Sequence, residues 1–155
     1  MDDAFFQTHS DDKIWAEDSL QIAFDTDPQS PYEYNPAAGV YNKKITEIAI
    51  AQTPKGSMVW RHKTHNATQL PLGNVTRSGF DIQINRDDKK HLTVYECKIP
   101  WQQIGLDSVK QGKNLGVSLV VNDADSTDGP RKVYELFKGI FNNKNHREYG
   151  RIILR

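Results

Sequence analysis

Trp15 stands in a polar run, with Asp11-Asp12-Lys13 before it and Ala16-Glu17 after it, and Gln21 follows six positions later. Most tryptophans are largely buried, because the indole carries a large apolar area. One in these surroundings is expected at the surface instead, as a flat apolar platform that can take the face of a ring. Trp60, within Met58-Val59-Trp60-Arg61-His62, reads first as a packed sheet residue and second as a neighbour of Trp15 on the same face. Trp101, after Ile99-Pro100, reads as a core aromatic, and Tyr32-Glu33-Tyr34-Asn35 as a loop able to supply rim contacts.

The remaining chemistry-bearing residues point less clearly. Asn122-Asp123-Ala124-Asp125 and Asp25-Thr26-Asp27 place oxygen ligands in turns, as a calcium site requires, which makes Asp25, Asp123 and Asp125 weak calcium candidates. The simpler reading is that Asp and Asn are there because they favour turns. Asn122 and Asp123 with Arg131 are also read as a polar network holding two strands together. His62 and His65 are three apart, a weak zinc pattern without further ligands. A nucleophile is not indicated: no Gly-x-Ser-x-Gly elbow is present, and Cys97 lies in mid-strand rather than at a helix start. Acidic residues are too plentiful to single out a hydrolytic pair, and phosphate-binding loops are absent. Binding, not catalysis, is the simpler account.

The elements that must position these residues are strands. Phe80-Asp81-Ile82-Gln83-Ile84-Asn85 alternates with the period of two that sends successive side chains to opposite faces of a sheet. After the polar turn at Arg86-Asp87-Asp88-Lys89-Lys90 comes Leu92 to Ile99, and the pair predicts an antiparallel hairpin. Further strands are predicted at Leu20 to Phe24, Ile45 to Ala51, Met58 to His62, Leu115 to Asn122, Lys132 to Phe137 and Arg151 to Leu154, separated by Pro, Gly, Asn and Asp turns. Only Pro100-Trp101-Gln102-Gln103-Ile104-Gly105, with proline early and glycine as a stop, predicts a helical turn. Many short strands with almost no helix predict an all-β, antiparallel β-sandwich.

A chain of 155 residues with 37% apolar content suits a single domain over residues 1–155. Twenty acidic residues balance twenty basic ones, so no global field draws in nucleic acid or an anionic membrane. No apolar run approaches the roughly 20 residues of a membrane helix, and the N-terminus has no signal-peptide pattern. A lone cysteine rules out an internal disulfide.

Three segments, in order and across nearly the whole chain, resemble the family 9 carbohydrate-binding modules and their DOMON-like sandwich relatives. They are Ile14 to Asp25, with its Trp-x-x-Asp-Ser strand start; Tyr95 to Trp101 followed by Leu115 to Asp123, with an Ile-Pro-Trp turn and an Asn-Asp strand end; and Gly139-Ile140 through Tyr149-Gly150 to Leu154. The resemblance implies a jelly-roll-like sandwich, here lacking the family's N-terminal strands. An edge left unpaired in that way would favour a homodimer. It also implies non-catalytic binding of a poly- or oligosaccharide such as xylan, by an accessory module of a larger protein that is secreted, periplasmic or on the cell surface. Trp15 stands where the family stacks an indole on the sugar, and Gln21 where it places a hydrogen-bonding carboxylate. A second stacking ring is expected near Phe141 to Asn143, which makes Phe141 and Asn143 site candidates beside Trp60. Against this, Ala49, Ala51 and Val120 align with an Arg, an Asn and a Gln of sugar-binding members. A structural sandwich that has lost its sugar site is therefore the alternative. A haem-binding domain of the DOMON type, with Met58 the sole internal methionine, is the remote one.

Overall fold

The computed structural model describes residues 5–30, 44–127, 129, 131–141 and 144–155; the Tyr32–Asn35 loop and Asn143 lie outside this set. Nine strands run through the described residues: β1 (Ser19–Asp25), β2 (Ile45–Thr53), β3 (Gly56–Lys63), β4 (Gly73–Asn74), β5 (Asp81–Asp87), β6 (Leu92–Lys98), β7 (Asn114–Asp123), β8 (Lys132–Glu135) and β9 (Gly150–Ile153). Seven form one antiparallel sheet in the order β4-β3-β2-β1-β7-β8, with β9 also paired to β7, while β5 and β6 form the predicted hairpin. The fold is an all-β sandwich of unequal layers. The short β4 and two 3₁₀ turns, Ile14–Ala16 and His146–Glu148, have no clear signal in the sequence.

The period of two decides which side chains meet across the layers. On the back of the large sheet, Leu20 and Ile22 of β1 and Ile48 and Ile50 of β2 pack with Val59 against Ile82 and Ile84 of the hairpin. The outward residues Asp81, Gln83 and Asn85 stay in water, as the alternation requires. A satellite of Ile104, Leu106 and Leu115 closes one end of this layer. Trp101 departs from expectation, because it is 40% exposed. The 3₁₀ turn Trp101–Ile104 is a single turn long; Ile104 enters the core and the indole, about 6 Å away along the axis, ends at the surface.

Among the described residues the front of the sheet has no second sheet over it. It carries a transverse row of Trp60, Ala49, Gln21, Val120 and Glu135, paired strand to strand. Two irregular segments cover that row. Ile14 presses into the space left by Ala49 and Ala51 beside Met58, and Ile140 packs with Ala23, Val120 and Tyr149. Burying Ile14 contributes about 1.5–3 kcal/mol, which holds a turn too short to be stable alone. Met58 belongs to this core cluster with Ile14, Ala49 and Ala51.

Glycine sets how the second segment closes. Gly139 has φ +102°, and a Cβ there would lie 2.2 Å from the Asn145 carbonyl oxygen. A Cβ at Gly150 would lie 2.3 Å from the Phe137 ring, so the Tyr-Gly pair is a packing requirement. Behind them Asp25 and His146, both fully buried, meet at 2.6 Å and tie β1 to the closing 3₁₀ turn. Gly139→Ala is expected to destabilise the domain by about 2–3 kcal/mol, through the left-handed backbone and the clash together. Gly112→Ala, also at positive φ but with open space around it, is expected to cost about 1 kcal/mol. Urea melts of the two variants check the difference.

Candidate functional site

Between the two covering segments lies a groove of about 300 Å³ lined by Trp15, Gln21, Glu47, His62, Lys63, Arg131, Ile140, Phe141 and Lys144. Trp15 is 39% exposed and Phe141 42% exposed, so two aromatic rings stand open on one cavity. Its volume is at the small end of ligand pockets.

Each wall is anchored by polar groups. The Trp15 turn is held from below by Ile14 and from the side by Gln7, whose amide donates to the carbonyls of Ile14 (2.9 Å) and Asp18 (3.0 Å). The Asp18 carboxylate accepts from the Phe6 and Ala124 amides at 2.8 and 2.7 Å, and Glu17 accepts from the Thr8 hydroxyl at 2.8 Å. The Asp-Ser pair after Trp15 is therefore a clamp for the platform. On the other wall the Phe141 amide donates to Glu135 at 3.0 Å, with Ile140 as its buried root.

The floor is a polar chain across three strands. Asn122 donates to Ser19 (3.1 Å) and to the Gln21 side-chain Oε1 (3.2 Å), Gln21 donates through Nε2 to Glu47 (3.3 Å), and Lys144 contacts both Glu47 oxygens at 3.1 Å. Glu47 is 2% exposed, and a buried carboxylate needs such partners. The register between β2 and β3 shifts at Glu47/Ile48: Ile48 faces Arg61 and Glu47 faces Lys63, so His62 is the extra residue of a bulge. A bulge breaks the alternation, which is why the successive residues His62 and Lys63 both line the groove.

Arg131 lies between the rings. Its guanidinium carbon is 4.8 Å from the Trp15 ring centroid and 5.3 Å from that of Phe141, and its Nη1 donates to the Trp15 carbonyl at 2.8 Å. Each ring contact contributes about 0.5–2 kcal/mol. This corrects the expectation of a network of Arg131 with Asn122 and Asp123: Asn122 serves the floor, and Lys132 sits 3.7 Å from Asp123 and 3.4 Å from Asp125.

A family model described as "Carbohydrate family 9 binding domain-like" matches residues 1–155. The chain belongs to that family. No curated protein and no solved structure shows a significant match to it. Of the positions singled out in this family 9-like domain, Trp15, Gln21 and Phe141 come together on the groove. Trp60 packs instead against the cluster of Ile14, Ala49, Ala51 and Met58 and is not among the groove's lining residues. Ala49, Ala51 and Val120 are fully buried, so none offers a polar group to the cavity. Asp25, Asp123 and Asp125 do not converge: Asp25 is bonded to His146 and the other two share Lys132. Among the described residues no three His, Cys, Asp or Glu side chains gather as a metal site would require. Glu47, Lys63 and Lys144 had no sequence signal as site residues, His62 had only the weak zinc pattern and Arg131 only the polar network; a bulge and a packed loop bring all five to the groove.

Burial pushes the His62 pKa down from 6.5; Glu47 and Asp12 oppose this, and Lys144 and Lys63 add to it. The imidazole is thus neutral at pH 7. Below pH 6.5 the unfolded chain takes up a proton that the folded one refuses, so stability is lost as the pH falls through this window until the folded pKa is reached. His62→Gln is expected to remove that part of the slope, seen as a smaller drop in the urea midpoint between pH 7.5 and 5.5. Equal slopes would place the titration elsewhere.

Proposed function

We propose that this domain binds carbohydrate without catalysing a reaction, and that the groove between Trp15 and Phe141 is its binding site. One observation carries the reading: two open aromatic rings share a cavity whose floor holds the amide of Gln21 and the carboxylate of Glu47. The C–H face of a pyranose is apolar and matches an exposed ring, while its hydroxyls need planar donors and acceptors around it. Family membership supports the same class of ligand. On this reading the domain is an accessory module outside the cell, holding a catalytic neighbour near a polysaccharide such as xylan by raising its local concentration.

A second reading, a sandwich that has lost its sugar site, is favoured by Ala49, Ala51 and Val120, which leave fewer polar contacts than sugar-binding members have. Affinity electrophoresis through gels containing xylan, soluble cellulose derivatives, pectin or alginate separates the two. Retardation by at least one polymer is expected for the native domain. Trp15→Ala should lose about tenfold or more of the affinity, given roughly 1–3 kcal/mol for an apolar stacking contact. Trp101→Ala, which alters an indole outside the groove, should migrate as the native protein does. No retardation in any gel, or equal retardation of Trp15→Ala, favours the scaffold.

A further inference from the structure

The charges around the groove are unequal, although the chain as a whole is neutral. Its lining holds three cations, Lys63, Arg131 and Lys144, against the single carboxylate of Glu47. Lys144 is already engaged with Glu47 at 3.1 Å. Glu135 accepts the Phe141 amide, and Asp12 acts on His62 from the platform side. His62 is neutral and does not add to the count. Arg131 makes one hydrogen bond, to a backbone carbonyl, and pairs with no carboxylate among the described residues. Lys63 likewise has no acidic partner among them.

An arginine fixed between two aromatic rings presents its N–H fork in a defined plane, and such a fork matches a carboxylate in bidentate fashion. Partial burial makes the unpaired positive charge costly until an anion arrives. We propose that the groove selects acidic sugars: a uronic acid unit whose carboxylate pairs with Arg131, assisted by Lys63. This rests on the carbohydrate-binding reading and narrows it to one chemical class. Lys144 and Glu47 neutralise each other beneath it.

The test pairs each acidic ligand with its own neutral form. Oligogalacturonides, alginate oligomers and glucuronoxylo-oligosaccharides are titrated into the native domain by calorimetry, each beside its methyl-esterified or carboxyl-reduced counterpart. At least one acid is expected to bind roughly 10- to 100-fold more tightly than its neutral partner, the factor that a charge-assisted pair contributes. That ratio should shrink as salt rises from 20 to about 300 mM, because screening acts on the acid alone. Arg131→Gln and Lys63→Gln should each narrow it. The Lys63 side chain makes no hydrogen bond among the described residues, so its variant keeps the test informative if Arg131→Gln unfolds. Neutral forms binding as well as the acids, with no salt effect, would overturn the charge assignment and leave sugar binding intact. Binding of neither form by the folded native domain would overturn both.

Discussion

A sheet of seven strands has two faces to cover, and among the described residues another sheet lies over only one of them. The front face must be shielded by irregular chain, whose backbone amides and carbonyls have no ladder to join. Buried polar groups on loops need partners, and the protein supplies them from side chains. Asp18, Glu17 and Gln7 satisfy the segment that carries Trp15. Asp25 and His146 fasten the segment that carries Phe141. Shielding and site are one construction, because the cavity is the gap that the two segments leave over the sheet.

Small residues on the sheet make that gap possible. Ala49 and Ala51 let Ile14 approach, and Ala23 with Gly139 and Gly150 lets Ile140, Tyr149 and Phe137 close from the other side. The same residues remove polar groups from the sheet surface. The groove consequently takes its polarity from Gln21 and Glu47 on the floor and from cations delivered by a bulge and two loops. A site built this way has a sign of charge set by its rim, which is free to vary while the sheet beneath stays constant.

Arg131 links these features. Its guanidinium stacks on the rings of both walls and bonds the Trp15 backbone, so the walls are held in register by a charge that pairs with no carboxylate among the described residues. Replacing it by an apolar residue would leave the rings without their common contact. The arrangement is stiff where a ligand would stack and electropositive where a ligand's acid group would lie.

How much of this was legible in the sequence depends on the range of the physics involved. Alternation such as that of Phe80 to Asn85, and turn residues between runs, are local properties, and they determined the strands and the all-β class. Trp15 among charged neighbours was legible for the same reason, since local polarity predicts exposure. Trp101 was not: its run looks apolar, yet Ile104 packs with Leu106 and Leu115 while the indole stays exposed. Nor could Arg61-His62-Lys63 announce a bulge, or Arg131 its place 116 positions from Trp15 in the chain. Those depend on register and on which loop lies over which strand, and only the tertiary structure decided them, because contacts between distant residues arise from the sum of packing across the sheet and not from any short stretch of chain.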